Sequence, residues 1–324
     1  MSASTATTPA PSFVPQLVIP FAACSGDAWL QAMKAMPAGR LKNLGKLLQG
    51  MKLMDSSDGE ALSLSTPHER VLANALGIAP VDGLIPWAAL QAAQAGLASG
   101  KAWAFITPCH WTMGREHATM TDPAVLGISA EQSQTLLAAM QPYFATEGIT
   151  LHYVAPETWL AEGEVFRTLP TASLDRVLGR NVDPWLVPSK ALKLLQNEMQ
   201  MLLYTHPLND ERAMQRQRPV NSFWISGTGA LDAQAPTPGP VDVPRTLAQA
   251  AFSDDWASYA QAWEQLDSGP IASLLAQQNA GQTVRISLCG ERNAQTFETA
   301  TPSLFGRLAK LLTPSSPLAM LEQL

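Results

Sequence analysis

The chain has 324 residues, of which 46% are hydrophobic and 15% are charged, and its formal net charge is −6. A composition this apolar excludes an intrinsically disordered chain, and the length allows one large domain or two smaller ones. Because no run of Lys and Arg interleaves with aromatic residues, the sequence predicts no nucleic-acid partner.

Three widely separated cysteines bear on the cellular compartment. They are Cys24, Cys109 and Cys289, an odd number that argues against a disulfide framework and indicates a reducing compartment. Residues 1–14 are mostly small and polar and lack the basic region of a secretory signal, so we expect a disordered tail there. The apolar run Leu17–Ala22 is too short for a bilayer span, which takes roughly 20 residues. These features predict a cytoplasmic protein without a membrane partner.

Hydrophobic periodicity and turn residues define the predicted elements in chain order. Apolar runs predict strands at Leu17–Ala22, Ala102–Thr107, Ile149–Val154, Asn221–Ser226 and Val284–Leu288. Helical spacing predicts helices at Asp27–Met36, Leu41–Leu53, His68–Leu76, Trp87–Ala95, Ser129–Ala145, Ser189–Tyr204, Trp256–Gln265, Ile271–Gln278 and Ser303–Leu312. Ser129, with Gln132 in the first turn, is typical of a helix start.

The order of these elements predicts an α/β protein with a mixed sheet flanked by helices. Residues 15–100 are expected to form a mainly helical N-terminal lobe that also contains the first strand. Residues 101–324 are expected to form an α/β domain. In that domain the strands Ala102–Thr107 and Ile149–Val154, with the helix between them, suggest a β-α-β unit.

The segment from His206 to Gly229, HPLNDERAMQRQRPVNSFWISGTG, is the strongest candidate for a ligand site. The predicted strand Asn221–Ser226 leads into glycines 227 and 229, which allow backbone N–H groups to approach a ligand closely. Upstream polar side chains, among them Arg212, can bind a phosphate or carboxylate. The predicted ligand-binding residues are His206, Asn209, Arg212, Asn221, Trp224, Gly227 and Gly229.

Each of these polar residues also has a structural interpretation. His206 can cap a helix, and Asn221 can hold the following turn through its amide. Arg212 and two nearby arginines can belong to a solvated helix face. The Gly-Thr-Gly sequence alone is a weak phosphate loop, because a nucleotide-binding fingerprint has further glycines and opens a helix. The sequence leaves both interpretations open.

A second group of polar residues follows the predicted strand Ala102–Thr107, in the position where α/β proteins place ligand contacts. His110 and Arg115 are therefore secondary ligand-binding candidates. Cys109, His110 and His117 lack a fourth ligand at a spacing known for zinc sites, so the sequence predicts no metal site there.

Within the candidate segment, a His-Pro-x-Asn sequence leads through Pro-x-Asn to an apolar-Trp-x-x-Gly-x-Gly strand and turn. This arrangement resembles the signature of cofactor-independent, archaeal-type phosphoglycerate mutases of the alkaline phosphatase superfamily, and it implies a partial likeness to their fold. The matching positions are His206, Pro207, Asn209, Arg212, Pro219, Asn221, Trp224, Gly227 and Gly229. Over most of its length the chain also resembles bacterial proteins identified as RpfE-type regulatory proteins.

The sequence departs from those mutases where they hold two divalent metals in an Asp/His cluster around a hydroxyl nucleophile. The first strand runs into Phe21-Ala-Ala-Cys-Ser-Gly-Asp27, which displaces the acidic residue from the strand end. No histidine follows His206, and the chain has five in all. We therefore expect no metal, no cofactor and no phosphoryl-transfer centre of that pattern.

These features lead to the hypothesis of a regulatory or ligand-sensing protein, catalytically inactive, that binds a small phosphorylated metabolite or a protein partner. One alternative is a metal-dependent phosphoglycerate mutase or phosphoesterase that uses other carboxylates. The candidates for these are Asp27, Asp55, Asp58 and Asp183. Another alternative is a pure interaction protein whose long helices and Pro-rich loop Ala233–Pro244 bind another chain.

Overall fold

The computed structural model describes residues 14–37, 39–97, 100–231, 239–300 and 316–324. Within these ranges the strands form two β-sheets, and helices pack against both. The predicted α/β fold with a mixed sheet and flanking helices is confirmed. None of the described helices is both long enough and apolar enough to cross a membrane.

The elements are numbered in chain order over the described residues. The strands are β1 (Gln16–Ile19), β2 (Met51–Ser57), β3 (Ala102–Met113), β4 (Ala118–Thr121), β5 (Thr150–Ala155), β6 (Thr158–Glu162), β7 (Ser222–Ala230), β8 (Val241–Asp242), β9 (Arg285–Cys289) and β10 (Ala294–Thr299). The helices are α1 (Asp27–Ala35), α2 (Lys42–Gln49), α3 (Pro67–Ala75), α4 (Trp87–Gln94), α5 (Ala130–Thr146), α6 (Lys190–Tyr204), α7 (Pro207–Met214), α8 (Thr246–Phe252), α9 (Trp256–Leu266), α10 (Ala272–Asn279) and α11 (Pro317–Leu321).

The first sheet is mixed and has the strand order β2-β10-β9-β1-β8. Strand β1 pairs in parallel with β8 and β9, whereas β10 pairs antiparallel with β9 and β2. All residues of β1 are buried, because both faces of the strand are covered. Leu17 and Ile19 belong to the core formed with α1, α2, α9 and α10. Val18 points the other way and packs with Val71 of α3.

The second sheet is antiparallel, with the order β7-β3-β6-β5, and β4 pairs with the far end of β3. Alternate residues of the long strand β3 enter two different cores, as the period of a strand requires. Ala104 and Ile106 pack with residues of α5 and α6. Trp103 and Phe105 pack on the opposite face, with α4. The face toward α4 also forms one wall of the cleft described below.

Many predicted elements lie close to their expected bounds. For the helix that begins after Ser129, local capping explains the agreement. The start predicted at Ser129 is confirmed, because its side chain accepts a hydrogen bond from the Gln132 N–H and Gln132 completes the capping box. The helix predicted at Ser303–Leu312 lies outside the described residues. So do residues 1–13 of the predicted tail and part of the Pro-rich loop Ala233–Pro244.

Three local predictions differ from the structure. The predicted helix Leu41–Leu53 ends at Gln49, and Met51 begins β2, whose backbone pairs with β10 instead of continuing the helix. The strand that leads to Gly-Thr-Gly does not end there, because β7 continues through both glycines to Ala230. Strands β3 and β5 are separated by β6, which pairs antiparallel with both, so the predicted β-α-β unit contains an inserted strand.

The predicted domain boundary near residue 100 does not coincide with the boundary between the sheets. Residues of β1, α1 and α2 share one hydrophobic core with residues of α8, α9 and α10 from the other end of the chain. Strands β3 to β7, which lie between them in sequence, form the second sheet. The first sheet is thus built from both ends of the chain and the second from its middle.

Helix α2 depends on a carboxylate from the opposite end of the chain. Its N-cap residue Leu41 provides no side-chain hydrogen bond. Instead, the buried Asp267 carboxylate accepts hydrogen bonds from the backbone N–H groups of Asn43 (3.2 Å) and Leu44 (2.8 Å). We expect Asp267→Ala to lower the free energy of unfolding by about 2–3 kcal/mol in urea denaturation. Asp183→Ala, at an exposed position, serves as the control, and equal losses in the two variants would contradict the capping role.

Candidate functional site

Most of the residues predicted to bind a ligand lie in or next to α7 and β7, and the contacts of Asn209 show a structural role for one of them. Asn209 is buried, and its side-chain amide donates to the carbonyl groups of Leu203 (2.7 Å) and Val220 (2.8 Å). Its side-chain oxygen accepts a hydrogen bond from the Val220 N–H (2.9 Å). The side chain therefore ties the end of α6 to the backbone that leads into β7.

Arg212 is fully buried, which rules out the solvated helix face considered for it. Its guanidinium donates to the carbonyl groups of Arg218 (2.9 Å) and Leu126 (2.6 Å). A third hydrogen bond goes to the side-chain oxygen of Gln132 (2.7 Å). Burial lowers the pKa of Arg212 from its ordinary value. The guanidinium thus joins three separate segments of the chain in the protein interior.

Asn221 and Trp224 hold neighbouring segments against β7. The Asn221 side chain accepts a hydrogen bond from the Trp111 N–H (2.7 Å) and donates one to the Trp111 carbonyl (2.9 Å), as a paired strand would. The indole N–H of the buried Trp224 donates to the carbonyl of Ala172 (3.1 Å). This last bond fixes the backbone immediately before Ser173, which lines the cleft described below.

Gly227 and Gly229 form a bulge in β7 instead of the predicted turn. One residue of β3, Ala104, lies opposite two residues of β7 at this point. The glycines have φ angles of +61° and +139°, which side chains rarely adopt. A Cβ on Gly227 would lie 2.8 Å from a ring carbon of Phe105, and one on Gly229 would lie 2.9 Å from the Pro86 Cβ. The bulge therefore lets β7 approach α4 closely.

The remaining predicted residues are His206, His110 and Arg115. His206 is the N-cap of α7, and its Nδ1 accepts a hydrogen bond from the Leu208 N–H (3.2 Å), so the capping interpretation is confirmed. The His110 Nδ1 lies 2.9 Å from the Pro219 carbonyl oxygen. Arg115 is exposed between β3 and β4. Ligand binding by these residues stays a prediction, and Gly227 is the predicted residue that lines the cleft.

A cleft with a volume of about 360 Å³ lies between the second sheet and helices α3 and α4. Its lining combines aromatic rings, from Trp87 and Phe105, with polar side chains. The hydroxyl groups on its walls belong to Thr107, Thr158, Ser173 and Ser226. Glu69, Gln91, Asp175 and Arg245 add charged and amide groups. A concave surface with a few convergent polar groups is the usual form of a small-molecule site.

Arg245 and Asp175 form a two-point ion pair at the cleft. The distances are 2.6 Å from Nη1 to Oδ2 and 2.6 Å from Nη2 to Oδ1. The Nε2 atom of the buried His68 lies 3.1 Å from the same Oδ2. Because an ionised carboxylate can only accept, this contact requires a hydrogen on Nε2. The His68 Nδ1 is buried and has no hydrogen-bond partner in the described part of the chain.

The three members of this network come from three parts of the fold. His68 lies in the first turn of α3, and Asp175 lies in the short 3-10 turn Leu174–Arg176. Arg245 follows β8, at the carboxyl end of the parallel strands β8, β1 and β9. This end of a parallel sheet is where α/β proteins gather ligand-contacting residues. The network therefore connects the two sheets beside the cleft.

The environment of Asp175 keeps its carboxyl group ionised. Burial raises its pKa, but hydrogen bonds and charge contacts with His68 and Arg245 outweigh burial and hold the pKa well below its usual range. A second carboxylate near this sheet edge behaves similarly. Burial raises the pKa of Glu291, whereas hydrogen bonds from Ser25 and the ion pair with Arg180 lower it, and the net shift is downward.

The structure brings together no cluster of the carboxylates considered for a metal site. Asp27 begins α1, Asp55 lies in β2, Asp58 follows that strand and Asp183 begins a 3-10 turn. Among the described residues, no group of three or more His, Cys, Asp or Glu side chains could hold a metal ion.

The cysteines are free and buried. Burial raises the pKa of Cys24 to about 12, and it also raises those of Cys109 and Cys289. Because the thiolate is the nucleophilic form, these raised pKa values disfavour a nucleophilic role for the three cysteines at neutral pH.

The network of His68, Asp175 and Arg245 was not predicted from the sequence. One local signal was present, because Thr66 and Glu69 form a capping box that places His68 in the first turn of a helix. No local pattern links these residues to one another. Arg245 lies 70 residues from Asp175 and 177 residues from His68.

Comparison with known proteins gives distant structural similarity. No protein-family model matches the chain, and no curated protein matches its sequence. The PH0037 protein of Pyrococcus horikoshii matches over 89% of this chain and 87% of its own, with 13% identity and a TM-score of 0.46. A cofactor-independent phosphoglycerate mutase from Thermoplasma acidophilum matches over 90% of this chain and 91% of its own, with 12% identity and a TM-score of 0.34. Likenesses this distant assign no activity or ligand to this chain.

The position of Arg212 predicts a large effect on stability. Arg212→Ala removes three hydrogen bonds, leaves the buried Leu126 carbonyl without this donor and opens a cavity. We expect the free energy of unfolding, measured in urea, to fall by about 3–4 kcal/mol. Arg115→Ala removes a guanidinium from an exposed loop and should change it by less than about 0.5 kcal/mol. A small loss for Arg212→Ala would show that its hydrogen bonds contribute little.

The ion pair also makes stability depend on pH. Because the folded pKa of Asp175 lies below the unfolded value, its contribution is present above roughly pH 4 and is lost as the pH falls. We therefore expect the free energy of unfolding to fall more steeply in the wild type than in Asp175→Asn between about pH 5 and 3. Urea denaturation at constant ionic strength gives both slopes, with the exposed Asp183→Asn as the control. Parallel slopes for wild type and Asp175→Asn would refute this account of Asp175.

Proposed function

We propose that this is a catalytically inactive, ligand-sensing regulatory protein that binds a small anionic metabolite in the cleft. The observation that carries the proposal is the combination of the anchored Arg245 guanidinium with several hydroxyl groups on the same concave surface. Its volume of about 360 Å³ suits a small metabolite. The resemblance of the His206–Gly229 segment to phosphoglycerate mutases makes phosphorylated three-carbon acids the first ligands to test.

The ion pair orients the Arg245 side chain and leaves some of its guanidinium N–H groups free to bind a ligand. The bonds to Asp175 use Nη1 and Nη2, and the Nε–H has no acceptor in the described part of the chain. The Arg245 side chain is 40% exposed, whereas that of Asp175 is 9% exposed. Since a guanidinium has five N–H donors in a planar fork, its open side can bind a phosphate or carboxylate. Asp175 holds the fork in place, so less side-chain entropy is lost on binding.

The hydroxyl groups of the cleft add hydrogen bonds to the ligand beside those of Arg245. Thr107 and Ser226 lie on adjacent strands, and Thr158 begins the strand on the other side of β3. Hydroxyls donate to and accept from the oxygen atoms of a phosphate, a carboxylate or a substrate alcohol. Trp87 and Phe105 provide apolar surface for the carbon skeleton. A short, oxygen-rich acid matches this lining.

The position of the cleft supports sensing. A ligand held by Arg245 and by the hydroxyls of the second sheet would contact elements of both halves of the fold. Binding would therefore stabilise the arrangement in which the two halves contact each other. A protein partner that recognises the ligand-bound arrangement would then give the protein a regulatory role. We propose a cytoplasmic location, which suits the free cysteines, and no nucleic-acid partner.

Thermal unfolding with 2-phosphoglycerate, 3-phosphoglycerate, glycerate and inorganic phosphate tests the proposal. We expect a phosphorylated acid to raise the Tm of the wild type, because a ligand that binds the folded state stabilises it. Arg245→Gln should abolish the rise, and Thr158→Val should weaken binding about tenfold. Arg285→Gln is the matched control, since Arg285 is 38% exposed and pairs with Glu298 (2.7 Å) in the first sheet.

Two results would overturn the proposal. The first is the absence of any shift in Tm with the wild type, or a shift of the same size in Arg245→Gln. The second is turnover of phosphoglycerate by the wild type when Mn²⁺ is supplied. Turnover would favour the metal-dependent enzyme over the inactive sensor.

A further inference from the structure

A strongly basic stretch stands out in this acidic chain. Between Asp27 and Asp55 the sequence contains no acidic residue. The basic residues in the same stretch are Lys34, Arg40, Lys42, Lys46 and Lys52. Because the formal net charge of the whole chain is −6, this concentration of positive charge is local and is not a property of the composition.

Four of these residues surround a groove with a volume of about 420 Å³, formed by α1, α2 and the start of α11. We call it the basic groove and define it by its rim residues Lys34, Arg40, Lys42 and Lys46. Its lining also includes apolar side chains, among them Met36, Leu41 and Leu318. The surface therefore combines a cationic rim with apolar contact area.

The rim charges have few internal partners. Arg40 pairs with Glu264 (2.6 Å), with the two side chains 48% and 35% exposed. Lys34, Lys42 and Lys46 are exposed, and none of them has a carboxylate partner within the described ranges. The sequence from residue 301 to 315 adds Arg307 and Lys310 and contains no acid. Those residues cannot supply the missing negative charge.

Two of the rim lysines lie on the same helix, α2, one turn apart. Lys42 is the first residue of α2 and Lys46 follows one turn later, and no acidic residue of the helix lies in its first turn. Like charges four residues apart on a helix repel each other, and an anionic group bound between the two lysines would relieve this repulsion.

We propose that the basic groove docks an acidic, amphipathic segment of a partner protein. Carboxylates of the segment would lie on the lysine rim, and an apolar side chain would lie against Met36 and Leu41. The apolar lining distinguishes this partner from a nucleic acid, which offers phosphates but no aliphatic anchor. None of the described side chains that line the groove is aromatic, so none of them can stack with a base. The proposal is independent of the ligand in the cleft.

Selection from a randomised peptide library displayed on phage, with the full-length protein as bait, tests this inference. We expect the enriched peptides to combine Asp and Glu with one or more large apolar residues. A resynthesised peptide is then measured by fluorescence anisotropy against wild type and Lys42→Glu/Lys46→Glu. We expect the Kd to rise at least about tenfold in that variant, and to rise with salt in the wild type.

The matched control is Lys190→Glu/Lys193→Glu, which reverses two exposed lysines of α6 and should leave the Kd unchanged. If the charge reversal perturbs the circular dichroism spectrum, Lys42→Gln/Lys46→Gln replaces it with the same expectation. Enrichment of peptides without acidic residues, or equal binding to wild type and variant, overturns the proposal. Tighter binding of a single-stranded oligonucleotide or of phosphatidylserine vesicles than of the selected peptide also overturns it.

Discussion

The ion pair between Arg245 and Asp175 is the contact on which the arrangement around the cleft depends. Arg245 comes from the carboxyl end of the first sheet, and Asp175 comes from a turn that lies against the second. The Asp175 carboxylate is largely buried and accepts from two other side chains, so removing one partner would leave a charge in the interior. Because Arg245 is 40% exposed, breaking the pair costs less than the about 3–5 kcal/mol typical of a fully buried pair, but the bidentate geometry still fixes the two side chains relative to each other. The relative placement of α3, α8 and the Asp175 turn follows from it.

The segment His206–Gly229 contributes to the cleft mainly by shaping it. Trp224 fixes the backbone before Ser173, and the glycine bulge allows β7 to approach α4. Asn209 and Arg212 hold the approach to β7 through hydrogen bonds in the protein interior. Polar residues that sequence analysis associates with ligands thus satisfy buried backbone groups, for which an amide or a guanidinium is equally suitable.

Helices that depend on neighbouring residues are predicted from the sequence. Strands and site residues that depend on contacts between distant parts of the chain are not. Helices with strong periodicity and a cap, such as the one after Ser129, are placed to within a residue or two. Strand β2 was not predicted, because its residues are largely exposed and have no alternating apolar pattern. Its backbone pairing with β10 is what makes this segment a strand. The same limit applies to the candidate site. Arg245 and Asp175 lie in unremarkable local sequences, and only the fold brings them together.

The first sheet pairs strands from both ends of the chain, and this affects folding during synthesis. Gln16, in β1, donates a hydrogen bond to Ser287, in β9, across 271 residues of sequence. During synthesis the apolar strand β1 therefore emerges long before its partners β8 and β9 exist, and non-local pairing of this kind is slow. An incomplete chain exposes β1 as an unpaired apolar strand, which is a template for aggregation. A chain that ends before β9 therefore lacks the strand that pairs with all four residues of β1.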